Sequence, residues 1–364
     1  MLVLPFVRHY SRYSRSSKAI RRSFIDFFES EGHKVVPSTK VVRPRFDEKN
    51  PFETPELNRL RGVLSGKSKA KSPRVVNVQK YLLHNSIGDV GKDLSTLSYY
   101  EMMSNWAFNN AYGKEKACTL AWTFLTKTMK IPKGNLYVSY FGGNSEVPED
   151  LETRQIWRKI GVPDSSLRPS SDSHFFGLDK SGFGAVAIST QIHHKRLQNS
   201  CLWNIDFTNY TRHRDGTADE MDTLHVDTGM RLEDLACVVQ GVPSVFETDL
   251  FLPIIRILEQ VSRMKYNGRR GADPRGLDYS FRVVADSMRF ACAADMECGL
   301  TTPPYVPFLV KKQAQRAVWH AAQVLKAPRG FLEELVPVVA KSLGISNEIL
   351  VDTTGKSLGD HEER

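Results

Sequence analysis

Polar residues that could bind a charged ligand are concentrated in two stretches of this sequence. Residues 226–234 read VDTGMRLED and place carboxylates on both sides of a single cation, Arg231. The Asp-Thr-Gly part of this string has a second interpretation, because such residues often cap a helix and turn the chain into it. Lys311, Lys312 and Arg316 lie among apolar residues on a predicted helix, where they could contact nucleic-acid phosphates or form a solvated helix face.

Two further groups of side chains can be explained by ordinary loop or core structure. The string His193-His194-Lys195-Arg196 is a basic patch that could meet phosphate, although an exposed polar loop is its default interpretation. The aromatic residues Tyr99, Tyr100, Trp106 and Phe108 are close together in the sequence. We interpret them as core residues rather than as a platform on which bases stack.

The cysteine pattern argues against a metal centre. The chain has five cysteines, and no two have the spacing of a zinc knuckle or a redox pair. Cys292 and Cys298 could share a metal, but no neighbouring Cys or His completes a four-ligand set. We therefore predict reduced, mostly buried cysteines and no metal site.

Composition and charge exclude an integral membrane protein. Of the 364 residues, 41% are hydrophobic and 25% are charged, and no apolar run approaches the ~18 residues that a membrane span needs. The formal net charge is +9, but residues 1–22 alone contribute six of these charges because they contain no acid. The overall basicity is therefore weak evidence for nucleic-acid binding, and only local patches could carry it.

The first 18 residues have the composition of a targeting segment. Residues 1–17 read MLVLPFVRHYSRYSRSS, and the first acid is Asp26. A basic, acid-poor, amphipathic segment is typical of a mitochondrial transit peptide. A disordered basic tail is the alternative, whereas Pro5 interrupts the apolar stretch that a secretory signal would need. We therefore predict that residues 1–18 are a transit peptide and that the protein resides in the mitochondrial matrix.

Strand-like patterns lie before about residue 230 and helical patterns after it. The predicted strands are residues 74–78, 98–108, 136–140 and 202–210. The predicted helices are residues 19–32, 115–129, 146–160, 248–264 and 281–296. This order predicts an α+β sheet domain over residues 19–250 and a helical domain over residues 251–364, rather than a doubly wound fold.

Several strings, in order along the chain, resemble the aminoacylation domain of alanyl-tRNA synthetases. Residues 20–37, IRRSFIDFFESEGHKVVP, resemble motif one of that family. Gln79-Lys80, His84-Asn85, Asp89-Val90-Gly91, Tyr99-Tyr100-Glu101-Met102 and Asn105 resemble motif two and its approach, and Trp203-Asn204 fits a following strand. Val226-Asp227-Thr228-Gly229-Met230 through Thr248-Asp249-Leu250-Phe251 resemble motif three, and Arg282-Val283, Ala285-Asp286 and Arg289 resemble a helix of the tRNA-recognition region.

The resemblance runs from about residue 19 to residue 345 and carries expectations for the whole chain. It implies a class II aminoacyl-tRNA synthetase-like antiparallel sheet of six or seven strands with flanking helices, followed by a truncated helical tRNA-recognition domain. The chain stops where the family's editing domain would begin, so we expect no editing activity.

The resemblance also indicates two lost cations. Attack of a carboxylate on the ATP α-phosphate accumulates charge on the phosphate oxygens, so fixed cations are needed there. The family's motif-two arginine aligns with Ser95 and its motif-three arginine with Asp234. We expect the loss of both cations to impair catalysis, with repulsion by Asp234 as the more damaging change. Arg231 is the nearest substitute, but it lies about one helical turn away.

Other positions of this sequence match the family pattern in some cases and depart from it in others. Asp227 and Gly229 match the positions that hold the amino group of alanine, so an amino-acid pocket could survive. Phe176 stands at the adenine side in place of a Trp, and residues 181–190 lack the family's Glu. Residues 301–304, TTPP, replace the segment with which the family reads the acceptor stem.

These observations support three hypotheses. The leading one is a catalytically impaired, synthetase-like mitochondrial protein that retains a scaffold for tRNA, other RNA or a protein partner. The second is a minimal active mitochondrial alanine–tRNA ligase, which alone of the three would require ATP and Mg²⁺. The third is a structural subunit of a mitochondrial RNA-containing assembly. In each case we expect no membrane partner, and Lys311, Lys312 and Arg316 as the RNA-binding residues.

Overall fold

Nine strands of the described residues form one mixed sheet. The structure is a computed structural model that describes residues 15–41, 62–64, 68–171, 174–178, 183–197, 200–271, 273–297 and 305–344. The strands are β1 Lys34–Val35, β2 Arg74–Leu82, β3 Tyr99–Ala107, β4 Leu136–Phe141, β5 Leu167–Ser170, β6 Phe175–Gly177, β7 Gly184–His194, β8 Trp203–Arg212 and β9 Ala218–Arg231.

The centre of the sheet is antiparallel. The strand order is β1-β2-β3-β9-β8-β7-β4-β5, and β6 pairs with β7 beside this path. Every pair from β2 to β4 along this order is antiparallel, whereas β1 with β2 and β4 with β5 are parallel. The expected antiparallel sheet is therefore confirmed at the centre, and short parallel strands extend its two edges.

Helices flank the sheet and dominate the second part of the chain, as predicted. They are α1 Ser17–Ser30, α2 Lys114–Thr123, α3 Leu151–Ile160, α4 Leu232–Gln240, α5 Leu252–Ser262, α6 Leu277–Glu297, α7 Tyr305–Trp319 and α8 Phe331–Ser342. Two of them end in π-helical turns, Phe124–Thr128 after α2 and His320–Val324 after α7. The α+β fold class is confirmed.

Helix α1 shows how the sequence positions the sheet. The Ser16 side chain accepts a hydrogen bond from the Ala19 backbone N–H, which satisfies one of the free donors at the helix start. Ile20, Phe24 and Phe28 recur at helical spacing and are buried. Phe24 and Phe28 pack against Trp203 of β8, with ring centroids 5.9 and 6.2 Å apart. Ser17, which the sequence analysis assigned to the transit peptide, is therefore already part of this helix.

The central strands of the sheet have one apolar face and one polar face. On β9, Val226, Thr228 and Met230 are buried, whereas Asp227, Gly229 and Arg231 alternate with them and are partly exposed. Because neighbouring strands share their faces, Asn204 and Asp206 of β8 lie on the same side as Asp227 and Gly229. We call this side the open face.

One hydrophobic core connects the sheet with the C-terminal helices. Phe24, Trp203, Leu258, Phe281 and Leu325 all belong to the same cluster of buried residues. The division at residue 250 stays a prediction, and apolar packing crosses it. The predicted aromatic core is confirmed: Tyr99, Tyr100, Trp106 and Phe108 are buried in three packed clusters.

Some sequence predictions need correction, and others lie outside the described residues. The Asp-Thr-Gly string does not cap a helix, because it lies inside β9, and α4 begins only at Leu232. The acidic segment 146–160 is helical only over Leu151–Ile160. Residues 1–14 of the predicted transit peptide, Cys298 and residues 301–304 lie outside the described residues.

Candidate functional site

The open face brings two carboxylates into direct cross-strand contact. In the register of β8 and β9, Asp206 lies opposite Asp227, and Asn204 lies opposite Gly229. On the other side of β9, Trp106 of β3 lies opposite Asp227. The sequence analysis found Asp227 and Gly229 but missed Asp206, whose place beside Asp227 depends on the register between two strands that are distant in sequence.

Burial raises the pKa of both carboxyl groups, and like charge adds to this effect at Asp206. The pKa of Asp227 rises to about 7 because the group is buried, and a hydrogen bond from Trp106 only partly opposes this effect. The pKa of Asp206 is well above its usual value, first because of burial and then because of the charge on Asp227, although the Asn204 amide lowers it. Both shifts favour the protonated form, so the pair resists carrying two negative charges.

Gly229 packs closely against Met102 beside the pair. A Cβ atom added to Gly229 would lie 3.1 Å from the Sδ of Met102 on β3, which is tighter than ordinary contact. A larger residue here would have to displace Met102. The place of Gly229 in an amino-acid pocket stays a prediction.

Arg231, Asp234 and Ser95 converge at the end of β9. The Nε and Nη2 of Arg231 each donate to one oxygen of Asp234 at 2.8 Å. The same Nη2 donates to the Ser95 carbonyl at 3.0 Å. The guanidinium also lies 5.4 Å from the centroid of the Tyr100 ring. The turn at the start of α4 thus places Arg231 within contact of Asp234, despite the helical offset expected from sequence.

This geometry corrects the expected effect of Asp234. Its side chain is 1% exposed and bound in two places by one cation, so its charge is compensated within the protein. Burial alone would lower the pKa of Arg231, but the charge and hydrogen bonds of Asp234 raise it above its usual value. Asp234 therefore acts chiefly by engaging Arg231 and not by exposing a negative charge.

Ser95 is held in a turn that Asp93 organises. The Asp93 carboxylate accepts from the backbone N–H groups of Ser95 and Thr96 at 2.8 and 2.6 Å, and from the Thr96 hydroxyl at 2.6 Å. Burial by itself raises the pKa of Asp93, but these hydrogen bonds lower it overall. The Ser95 hydroxyl is also 3.3 Å from this carboxylate, so the side chain is directed to Asp93.

Phe176 packs against the apolar cluster that includes Trp106, the residue that donates to Asp227. Phe176 is on β6 opposite Ala187 of β7, and the same cluster contains Phe108. The part of the 181–190 segment that the structure describes is largely the start of β7.

The predicted basic residues of α7 do not form one patch. Lys311 and Lys312 are exposed, but Arg316 donates to the Ile87 carbonyl at 2.6 Å and to the Tyr279 hydroxyl at 3.4 Å. Arg316 therefore anchors α7 to the segment between β2 and β3. Phe308 and Trp319, which the sequence analysis missed, are 54% and 57% exposed. Their spacing with Lys312 and Gln315 follows one helix face, which is the signal that could have found them.

The His193–Arg196 string divides into two environments. The Nε2 of His193 lies 2.7 Å from the Ser139 hydroxyl, and its ring stacks on Tyr137. His194, Lys195 and Arg196 instead line an open basic cavity of about 410 Å³ with Arg270 and Asn135. Of the string, only His194, Lys195 and Arg196 therefore face this basic cavity.

Two classes of site are missing from the described ranges. No group of three or more potential ligands there could hold a metal ion. None of the helices within these ranges is long and apolar enough to cross a membrane. The four cysteines they contain are free thiols, and Cys118, Cys237 and Cys292 are buried.

Comparison with known proteins identifies the family. The family model of class II (A) tRNA synthetases matches residues 19–354. The chain is 39% identical over 349 residues to the mitochondrial alanine–tRNA ligase of Mus musculus and 38% identical over 351 residues to that of Homo sapiens. It is 32% identical over 359 residues to the cytoplasmic alanine–tRNA ligase of Bombyx mori.

These alignments cover most of this chain and a smaller part of the relatives. They include 90% of the chain for the mouse and human proteins and 91% for the silkworm protein. The chain spans only 35% of the two mammalian ligases and 37% of the insect ligase. The family match over residues 19–354, together with this identity, shows that the chain belongs to the alanyl-tRNA synthetase family of class II synthetases.

Proposed function

We propose that this chain is a mitochondrial member of its family in which adenylate formation is impaired and a scaffold for RNA contact is retained. The observation that carries the proposal is the ion pair between Arg231 and Asp234. The mitochondrial assignment is supported by the mitochondrial relatives and by the basic, acid-free N-terminal segment. The predicted place of action is the matrix.

The chemistry of adenylate formation explains why this ion pair matters. Cations that are fixed near the α- and γ-phosphates stabilise the charge that develops during the reaction. Ser95 and Asp234 stand at the two family positions for these cations, and neither can supply one. Loss of one preorganised contact of this kind typically costs roughly 3–4 kcal/mol of transition-state stabilisation. Arg231 is the nearest cation, and Asp234 and the Ser95 carbonyl already engage it.

A minimal active alanine–tRNA ligase is the second candidate. Asp227 and Gly229 on β9 favour it, because they match the family positions that hold the amino group of alanine. In this case ATP with Mg²⁺ would bind on the open face, with Phe176 at the adenine side. Arg231 would then have to leave Asp234 when the phosphates bind.

Pyrophosphate exchange with alanine and ATP on the purified chain separates the two candidates. We expect little or no alanine-dependent exchange in the unmodified protein. Asp234→Asn should increase ATP affinity several-fold, because it removes the charge that engages Arg231. Asp222→Asn, at an exposed position of β9, is the matched control and should change nothing. Exchange at ordinary synthetase rates in the unmodified protein would establish the ligase instead.

The exposed face of α7 supports RNA contact. Lys311 and Lys312 supply charge for phosphates, and Trp319 supplies an exposed aromatic surface on which a base can stack. Neutralising both lysines should weaken binding to tRNA of any sequence and reduce its salt dependence, as measured by fluorescence anisotropy at several salt concentrations. Neutralising Lys127 and Lys130 near the end of α2 is the control. If the α7 variant binds tRNA with unchanged affinity, this helix face is only a solvated surface.

A further inference from the structure

The open face has more hydrogen-bond acceptors than donors around Asp206. Ser189 of β7 and Asp227 of β9 lie opposite Asp206 on its two sides, and Asn204 is two residues away on the same strand face. Three neighbouring strands thus direct four polar side chains to one place. A carboxylate offers about four acceptor positions, so two carboxylates need many donors.

The described residues supply few donors to these groups. Asn204 donates from Nδ2 to both oxygens of Asp206, at 2.7 Å each. Trp106 donates to Asp227. No cationic side chain within the described ranges forms an ion pair with either carboxylate. The remaining acceptor positions of the pair are therefore open to a ligand.

Two buried polar atoms next to the pair have no partner. Ser189 is 1% exposed, and its Oγ makes no hydrogen bond to any residue that the structure describes. The Oδ1 of Asn204 is also buried without a partner, and its orientation is fixed because the amide must present Nδ2 to the carboxylate. Buried polar atoms are normally satisfied. The Oδ1 of Asn204 can only accept a hydrogen bond and the Ser189 hydroxyl can accept one, so a ligand that donates would satisfy both.

A ligand that satisfies this cluster must carry positive charge and several N–H donors. Burial and mutual repulsion make two ionised carboxylates unfavourable here, as their raised pKa values show. A primary ammonium brings one positive charge and three donors. One ammonium at Asp227 leaves the charge of Asp206, the Oγ of Ser189 and the Oδ1 of Asn204 without a partner, whereas a second ammonium beside the first would satisfy them.

We propose that Asp206, with Asn204 and Ser189, makes this pocket select a small amino acid that carries an ammonium group on its side chain. The α-ammonium binds Asp227, and the side-chain ammonium binds Asp206. This inference rests on the proposed place of the amino-acid pocket at Asp227. Directly opposed residues of adjacent strands have Cβ atoms roughly 4.5–5.5 Å apart, so amines on neighbouring carbons can reach both carboxylates.

Calorimetric titration of the full chain tests the proposal with a matched pair of ligands. L-Alanine and L-2,3-diaminopropionate differ only in the amine that replaces one hydrogen of the methyl group. We expect 2,3-diaminopropionate to bind about tenfold or more tightly than alanine, because a hydrogen bond between charged groups replaces an unsatisfied acceptor. Equal affinity, tighter binding of alanine, or no binding of either ligand would overturn the proposal.

Two variants test whether Asp206 causes the preference for 2,3-diaminopropionate. Asp206→Asn keeps the shape of the side chain but removes its charge, and it should abolish the preference for 2,3-diaminopropionate over alanine. Asp222→Asn removes an exposed carboxylate elsewhere on β9 and should keep the full preference, which controls for the general attraction of a cation. Thermal melting of each variant verifies that it is folded.

A preference that persists in Asp206→Asn would contradict the assignment. Failure of this proposal can be distinguished from failure of the proposed function. Pyrophosphate exchange reports whether adenylate forms, whereas the titration contains no ATP and reports only which amine the pocket holds.

Discussion

Two charge clusters of this protein are built from similar residues but are paired differently. The buried charge network contains Arg21, Glu101, Glu233 and Arg289, which link α1, β3, α4 and α6. The carboxylate pair contains Asp206 and Asp227 on the open face. Both clusters lie on or beside the central strands, yet only the network supplies a cation for each carboxylate.

In the buried charge network every carboxylate is paired with an arginine. Arg21 donates from Nε and Nη2 to the two oxygens of Glu101 at 2.6 Å each. Arg289 donates to Glu233 at 2.9 Å, and the Glu101 backbone N–H donates to the same carboxylate at 3.1 Å. The remaining nitrogens of Arg289 lack hydrogen bonds, but its guanidinium lies 4.3 Å from the centroid of the Phe251 ring. The matched cluster thus connects helices to the sheet, whereas the unmatched pair remains available for a ligand.

Breaking the buried charge network should have the largest effect on stability. Arg289→Leu leaves Glu233 buried without its cation, and we expect a loss of about 3–5 kcal/mol in the free energy of unfolding. Chemical denaturation measures this change. Arg22→Leu breaks the exposed pair with Asp26 and should have no measurable effect. A loss below about 1 kcal/mol in Arg289→Leu would remove the structural role of the network.

Acid should destabilise the protein through buried histidines outside both clusters. Burial lowers the pKa of His33 and of His174 to about 4 from 6.5. Because the folded state disfavours the proton, their contribution is present above pH 6.5 and is lost as the pH falls towards 4. Each such histidine contributes about 2 kcal/mol of destabilisation at pH 5.

Melting curves between pH 7 and 5 measure this acid sensitivity. His33→Gln should melt lower than the wild type at pH 7 but lose less stability on acidification. If the acid sensitivity of this variant equals that of the wild type, burial of His33 is not its cause.

Removing a charge from the carboxylate pair should have the smallest effect, and it should have the opposite sign. The pKa of Asp206 is raised above its ordinary value of 3.8, so its contribution to stability is lost as the pH rises from that value through the raised pKa of the folded state. Asp206→Asn should therefore stabilise the ligand-free protein by about 1 kcal/mol at pH 8. The gain should be smaller at pH 5. If the variant is instead less stable at pH 8, then Asp206 is paired with a cation in the folded protein, as Glu233 is.

Much of the fold could be predicted from the sequence because its periodic patterns are strong. The spacing of Ile20, Phe24 and Phe28 with the glycine at position 32 identified α1 nearly to its ends. The strand predicted at 74–78 continues to Leu82, because pairing with β3 extends it through the polar residues Gln79 and Lys80. Local pattern identifies an element, but strand pairing decides its length.

The candidate site was predicted less completely than the fold. Asp227 and Gly229 were found from a string that resembles the family, and the structure places both on the open face. Asp206 was missed because its surroundings, Asn204 to Phe207, indicate only an ordinary strand. Arg316 was assigned to RNA from its charge alone, whereas its hydrogen bonds to the Ile87 carbonyl and Tyr279 show a structural anchor.

The sequence by itself determined the family, the α+β class and the identity of most helices and strands, because these depend on residue types and their spacing within one segment. Only the tertiary structure decided which charges meet. Arg231 pairs with Asp234 because the chain turns from β9 into α4 between them, and Asp206 meets Asp227 because two strands align in one register. Coulomb and hydrogen-bond energies depend on distances of a few ångströms, and sequence spacing does not fix such distances between separate elements.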